Sequence, residues 1–229
     1  MNKLGIKFFT PINLIGFVLV VMAGWIDTIS LMIFLDKRTS SMTGRAAKLG
    51  LLIFNRDTMA VDFVLLIILS FIVGACISTL ITRKTGLTGG LSFTSLMLVV
   101  TTFTSLKTGM HLSVISIPMA MGGLNAATSL TAIDRTTHLT GASTDIGINL
   151  AKGNWNGVVF WSLRWIGFVL GTLISLKVIQ LYNATIISRS FLLLLPATVI
   201  ILTGIIQKLT IDVPLLEDAA KRGTAPTLP

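Results

Sequence analysis

The sequence has very few of the residues that metal and covalent chemistry require. Cys76 is the single cysteine among 229 residues, so we expect no disulfide within the chain and no cysteine-based metal site. The two histidines, His111 and His138, stand in no metal-ligand spacing. The sequence also has no H-E-x-x-H, Walker or G-x-S-x-G motif. We therefore expect no enzyme activity and no cofactor.

Charged residues are equally scarce, at 12% of the chain, whereas 53% of the residues are hydrophobic. A soluble domain carries about 25% charged residues, so this chain lacks the charge to cover a soluble surface. This excludes an ordinary cytosolic enzyme, a disordered chain and a fibrous protein. Although the net charge is +9, most basic residues lie between apolar runs, which favours lipid headgroups over nucleic acid as their partner.

The apolar runs predict an all-α, polytopic membrane helix bundle. A spanning helix needs ~20 apolar residues, and six stretches qualify or come close. The first is too long for the apolar part of a signal peptide, which has ~7–15 residues, so we expect it to be retained. The six predicted transmembrane helices are 12–34, 61–82, 88–106, 111–133, 157–179 and 190–208.

The predicted spans form a single transmembrane domain, residues 1–208, followed by a polar and disordered C-terminal tail, 209–229. With the N-terminus inside, nine basic residues lie on the inner side and eight on the outer side. Under the positive-inside rule, this small difference favours both termini inside only slightly.

The two halves of the chain repeat each other. Gly24 matches Gly122 and Asp27 matches Asn125 at an offset of 98 residues. Three further landmarks match at an offset of 97, namely Met42-Thr43-Gly44 with Leu139-Thr140-Gly141, Leu49-Gly50 with Ile146-Gly147, and Phe71-Ile72-Val73-Gly74 with Phe168-Val169-Leu170-Gly171. Each half, about 12–106 and about 111–208, holds three predicted spans. An odd number reverses the second copy, so we expect two inverted three-helix repeats, an architecture common in transporters.

The same motifs resemble a bacterial family. The segments 23–28, 41–44, 121–126 and 139–141, with Leu49-Gly50, are similar to the YoaK-like membrane proteins, or domain of unknown function 1275. This resemblance extends from about residue 15 to 208 and implies a bacterial inner-membrane protein with about six spans. It implies no established activity. The family usually has Asn after the first Thr-Gly or Ser-Gly pair, whereas this chain has Arg45, which puts any role of that position in doubt.

Asp27 is the strongest candidate for a binding residue, because a carboxylate within a span costs ~2.5–3.5 kcal/mol on insertion scales. It could bind a cation or a proton inside the bundle. Alternatively, it is structural, either hydrogen-bonded to a neighbouring helix or held in its neutral form. We expect Asp27 to face protein or water and to lie near Asn125, its counterpart in the second half.

Arg164 is the only basic residue well inside a predicted span, and Trp161 and Trp165 flank it. One interpretation is that it extends to the membrane surface, with the two indoles forming part of an aromatic belt. The other is that it forms an ion pair with Asp27, since charges buried in a membrane usually find partners.

Two Thr-Gly pairs, Thr43-Gly44 and Thr140-Gly141, precede stretches that we predict to be short helices, 45–54 and 142–151. A threonine can cap a helix N-terminus, where exposed N–H groups attract an anion or a polar group. Both stretches could re-enter the membrane as half-helices from opposite sides, or they could be interfacial helices in ordinary loops.

Taken together, the pattern predicts a transporter or channel of the plasma membrane for an unknown small solute or ion, with a polar site near the midplane. The alternative is a structural or accessory membrane protein that transports nothing. The expected partner is the lipid bilayer, with no nucleic acid, and a homo-oligomer is left open.

Overall fold

The chain is all-helical over the residues that the computed structural model describes, which are 10–34, 41–107, 112–184, 186 and 188–217. The first helix ends in a π-helical turn at Ser30–Phe34. The eight helices of this part of the chain are α1 Pro11–Ile29, α2 Met42–Phe54, α3 Thr58–Thr85, α4 Leu87–Lys107, α5 Ser113–Ser129, α6 Leu139–Ala151, α7 Trp155–Asn183 and α8 Phe191–Thr210.

Within the described ranges, five helical segments are long and apolar enough to cross a membrane, namely Pro11–Phe34, Thr58–Thr85, Leu87–Thr104, Trp155–Asn183 and Phe191–Thr210. They agree with five of the six predicted spans. The fourth predicted span, 111–133, contains α5, which has 17 residues and is shorter than the other five. Large apolar side chains on α3, α7 and α8 are exposed, as expected for helices that contact lipid tails.

Helices of the first half pack mainly against helices of the second half. The most extensive pairings are α3 with α5 and α1 with α7. Helix α4 packs against both α5 and α8, and α1 packs against α8. Each of these helix pairings has a counterpart between the helices that lie four places away in the chain. The pairing of α3 with α5 corresponds to that of α7 with α1, and the pairing of α2 with α3 corresponds to that of α6 with α7.

Glycines allow these closest helix contacts. A Cβ atom added at Gly24 of α1 would meet the carbonyl oxygen of Phe168 in α7, and one at Gly122 of α5 would meet that of Phe71 in α3. In the reverse direction, Gly74 faces the carbonyl of Met119 and Gly171 faces that of Val21. Because the obstacle is backbone each time, only glycine lets these helix axes come so close.

The segment after α8 corrects one expectation. Residues 209–217 were predicted to begin a disordered tail, but α8 continues to Thr210 and Val213 is buried in the core. The amide of Leu216 donates to the carbonyl of Leu130, and Arg83 forms a 2.9 Å ion pair with Glu217. Short apolar residues in this polar segment are enough to anchor it on the bundle. Residues 218–229 lie outside the described part of the chain.

Candidate functional site between two helix N-termini

An open cavity of about 210 Å³ lies where the N-terminal turns of α2 and α6 meet. Most of its lining residues are polar and come from both halves of the chain. They are Ser41, Met42, Thr43, Thr137, His138, Leu139, Thr140 and Phe168. The structure thus brings Thr43 and Thr140 together at one site. Gly44 and Gly141 follow them directly but are not among the lining residues.

The two walls of the cavity are built from equivalent segments. Both α2 and α6 have 13 residues, so both predicted short helices are present, each starting three residues before the predicted stretch. The flanking turns also match, because Asp57 caps α3 through the amide of Ala60 and Asn154 caps α7 through the amide of Gly157. Each of these caps fixes the short helix to the long helix that follows it.

Thr43 and Thr140 lie next to the N-termini of their helices, as predicted, but neither occupies the capping position. Thr43 and Thr140 are each the second residue of the helix, and the capping positions belong to Ser41 and His138. Neither of these two side chains makes a capping hydrogen bond. The first-turn N–H groups of both helices therefore keep their partial positive charge at the cavity.

Thr137 adds a buried polar group to the wall. Its side chain is 2% exposed, and its hydroxyl oxygen has no hydrogen-bond partner among the described residues. A buried polar group without a partner costs about 1–3 kcal/mol. A polar ligand in the cavity would relieve part of that cost.

Asp27 and Arg45 form the charged neighbourhood of the α2 terminus. Asp27 is 1% exposed, which agrees with the expectation that it faces away from lipid, and Arg45 is 6% exposed. Burial lowers the pKa of the Arg45 guanidinium from its ordinary value, and the negative charge of Asp27 opposes that shift. Arg45 was left without a role by the sequence, because it departs from the family pattern. Its buried position beside an acidic residue of α1 gives it one.

The proximity of Asn125 to Asp27 stays a prediction. Asn125 is half-buried, and its backbone carbonyl oxygen accepts hydrogen bonds from Thr128 and Ser129. The side-chain oxygen of Asn125 has no hydrogen-bond partner in the described part of the chain. Arg45 is a charged neighbour of Asp27.

Arg164 is buried in protein and does not form the ion pair with Asp27 that one sequence-based interpretation proposed. It is 1% exposed, and its extension towards the membrane surface stays a prediction. Its guanidinium donates to the carbonyl of Ile133 at 2.7 Å, lies 3.6 Å from the ring centroid of Phe160, and interacts electrostatically with Asp134 rather than with Asp27. Gly16 of α1 also faces this guanidinium, so Arg164 lies at the contact between α1 and α7. Its bond to Ile133 fastens the 130–138 segment, which carries Thr137, to α7.

His138 brings the only titratable ring into the lining. Burial lowers the pKa of His138 from its model-compound value of 6.5, and the positive charge of Arg135 lowers it further. Its ring centroid lies 6.0 Å from that of Phe71 in α3. His138 is therefore neutral at pH 7.

The chain matches the family described as "Protein of unknown function (DUF1275)" over residues 15–206, and it belongs to that family. The match covers α1 to nearly the end of α8, and thus the whole cavity. The narrower YoaK-like grouping stays a prediction. Neither a curated protein nor a solved structure matches the chain.

Proposed function

Because the family of this chain has no assigned activity, we propose from the site itself that the protein is a membrane transporter or channel for a small solute or ion. The observation that carries this proposal is the cavity shared by the N-terminal turns of α2 and α6. Short helices whose N-termini meet across a repeat interface are a recurring way to build a solute site inside a membrane protein. A purely structural bundle has no need for two such uncapped turns around an open polar pocket.

The proposal includes two inverted repeats with six spans. The reciprocal glycine contacts support it, since Gly24 and Gly122 play the same part on opposite sides of the bundle. The helix pairings also support the proposal, because each pairing has a counterpart when the two halves are exchanged. Helix α5, with 17 residues, is about 25 Å long, which is close to the ~30 Å hydrocarbon core. We count it as the fourth span, which makes each half three spans long and the second half inverted.

The site lies near the bilayer midplane in this proposal. Phe168 lines the cavity, and 13 residues of α7 precede it while 15 follow it. His138, on the other wall, contacts Phe71, which has 13 residues of α3 before it and 14 after it. The cavity is therefore level with the middle of the two longest helices. Helices α2 and α6 then re-enter the membrane and end halfway across it.

The same reasoning assigns the protein to the lipid bilayer of the plasma membrane. Exposed apolar side chains, such as Leu69 and Leu173 at 56% each, face outward on the long helices and suit lipid tails. The bacterial inner membrane is the location that the family resemblance implies.

Solute flux through proteoliposomes tests the proposal. The full chain is reconstituted, and uptake is measured for neutral solutes, monovalent cations and monovalent anions. Thr140→Trp should fill the cavity and reduce flux by roughly tenfold or more, because the pathway narrows at its polar site. Thr144→Trp, one turn further along α6 and exposed, is the matched control and should leave flux unchanged.

Absence of flux for every solute class, with protein that is folded in the vesicles, would overturn the proposal in favour of an accessory role. Equal loss of flux in both tryptophan variants would show that the cavity is not the pathway.

A further inference from the structure

We propose that the cavity between α2 and α6 selects a small monovalent anion. This inference names the class of ligand for the site described above and rests on the proposed function only where transport is concerned. Binding of the anion is a separate property that can be measured without flux.

The two helix ends produce a positive electrostatic field in the cavity. The N-terminus of an α-helix carries about half a positive charge on its free N–H groups, and that charge attracts anions. Here two such ends, neither capped by a side chain, border the same cavity. Their fields add in the space between them, and they repel cations from it.

Hydroxyl groups around the cavity supply hydrogen-bond donors. Hydroxyl groups of Ser41, Thr43 and Thr140 line the cavity, and the buried Thr137 lies among them with an oxygen that has no partner in the described part of the chain. A hydroxyl can donate to an anion, and hydrogen bonds to a charged acceptor are stronger than those to a neutral one. An anion can therefore accept a hydrogen bond from every one of these hydroxyl groups.

The charged side chains near the cavity also affect which ligand it favours. Arg45 follows the first turn of α2 and interacts with Asp27, while Arg135 lies 3.8 Å from Asp134 and close to the first turn of α6. In the described part of the chain, Asp27 thus offsets Arg45 and Asp134 offsets Arg135 beside the two first turns, and His138 is neutral at pH 7 because its pKa is lowered. The two helix ends add about one positive charge to these turns. This favours a single negative charge on the ligand.

The volume of the cavity indicates the size of the ligand. A cavity of about 210 Å³ is several times the ~30 Å³ occupied by one water molecule, so it holds an ion of a few heavy atoms with some of its hydration. Halides, nitrate and short carboxylates have this size.

Bromide is the probe for the test, and its binding to purified full-length protein in detergent is followed by bromide NMR line broadening. Thr43→Asp puts a fixed carboxylate at the second residue of α2, where acidic residues stabilise a helix. We expect bromide affinity to fall by at least about tenfold, because the carboxylate occupies the same positive field. Asn156→Asp is the matched control, since it adds the same charge at the second residue of α7, on an exposed side chain outside the cavity.

A second pair of variants examines Thr137. Thr137→Val removes the hydroxyl and keeps the shape, so it should weaken bromide binding by roughly tenfold while raising the melting temperature, because the buried oxygen without a partner is gone. Thr137→Ser keeps the hydroxyl and should bind as the wild type does. A purely structural hydroxyl would instead lower the melting temperature when removed and leave bromide binding unaltered.

The outcomes separate this inference from the proposed function. Specific bromide binding that Thr43→Asp and Thr137→Val weaken, without flux, supports an anion site and overturns transport. Flux of neutral solutes or cations, with bromide binding that is absent or equal in Thr43→Asp and wild type, overturns the anion proposal and leaves transport standing.

Discussion

The two short helices around the cavity, α2 and α6, are equivalent in sequence but differ in how they are held. Helix α6 packs on α7 through a small apolar cluster of Ala142, Phe160 and Trp161. The indole of Trp165 adds a 3.0 Å hydrogen bond to Ser143. On α2, the only buried residue is Arg45, which occupies the position equivalent to Ala142. At this position, one wall of the site therefore buries an apolar residue and the other buries a charged one.

This difference suggests how the first half departs from the second. Asp27 stands where the second half has Asn125, and Arg45 stands where it has Ala142. The first half thus carries an acidic and a basic residue at two positions where the second half has neutral ones. Exchanging residues between equivalent positions is a direct way to examine what each difference contributes.

The largest effect should come from Arg45→Ala, which gives α2 the residue that α6 has. It leaves the buried Asp27 with one positive neighbour fewer, and breaking a buried charge interaction typically costs about 3–5 kcal/mol. Denaturant unfolding in detergent micelles measures the loss. We expect α2 to become the first segment to exchange its amide hydrogens.

The double variant Asp27→Asn with Arg45→Ala is the control for that interpretation. It brings both positions to the residues of the second half and should recover much of the stability, because no charge is left uncompensated. Additive losses in the two single variants would contradict a coupling between Asp27 and Arg45.

Gly24→Ala and Gly122→Ala should each destabilise the fold by about 3 kcal/mol, because the new methyl group meets a backbone carbonyl that cannot move aside. The two effects should be nearly equal, since the contacts are reciprocal. Melting temperatures of the two variants provide the measurement. A large effect at one site and none at the other would argue against equivalent roles of α1 and α5.

Arg164→Ile gives the second half the residue found at the equivalent Ile67, which is fully buried. The change removes the hydrogen bond to Ile133, and we expect a loss of about 2 kcal/mol, as for other bonds from a charged donor. Hydrogen exchange in residues 131–137 should rise. If exchange rises equally throughout α7, the arginine supports the helix rather than the segment that carries Thr137.

The sequence predicted the helical class and the two Thr-Gly helices, because apolar runs and glycines are local patterns that follow helix geometry. It did not predict which charges meet. Asp27 and Arg164 belong to helices that pack across the two halves, and the packing of α1 on α7 and of α5 on α3 has no local signature in the sequence. Thr137 escaped notice for the same reason, since its burial depends on α7 and the loop rather than on its neighbours in the chain.

Gly50→Ala and Gly147→Ala should stabilise the protein slightly. Both glycines lie inside the short helices with nothing within 4 Å of an added Cβ atom, so alanine fits and helical alanine is favoured by about 0.5–1 kcal/mol. Melting temperatures should rise in both variants. A fall in one would indicate that a lipid or a partner approaches that helix where the chain itself leaves space.

The smallest effect should come from His138, whose counterpart in the first half is Ser41. The pKa of His138 is lowered in the folded state from 6.5, so the folded protein binds fewer protons than the unfolded chain in the range below that value. Its contribution to stability is complete above pH 6.5 and is lost as the pH falls towards the lowered pKa. Free energies of unfolding between about pH 7.5 and pH 5.5 should therefore decrease more in the wild type than in His138→Ser, which removes the titrating ring. Burial and the charge of Arg135 act in the same direction, so Arg135→Gln should retain part of the difference. A wild type that gains stability on acidification relative to His138→Ser would mean that protonated His138 is favoured in the fold, as it would be with an anion held beside it in the cavity.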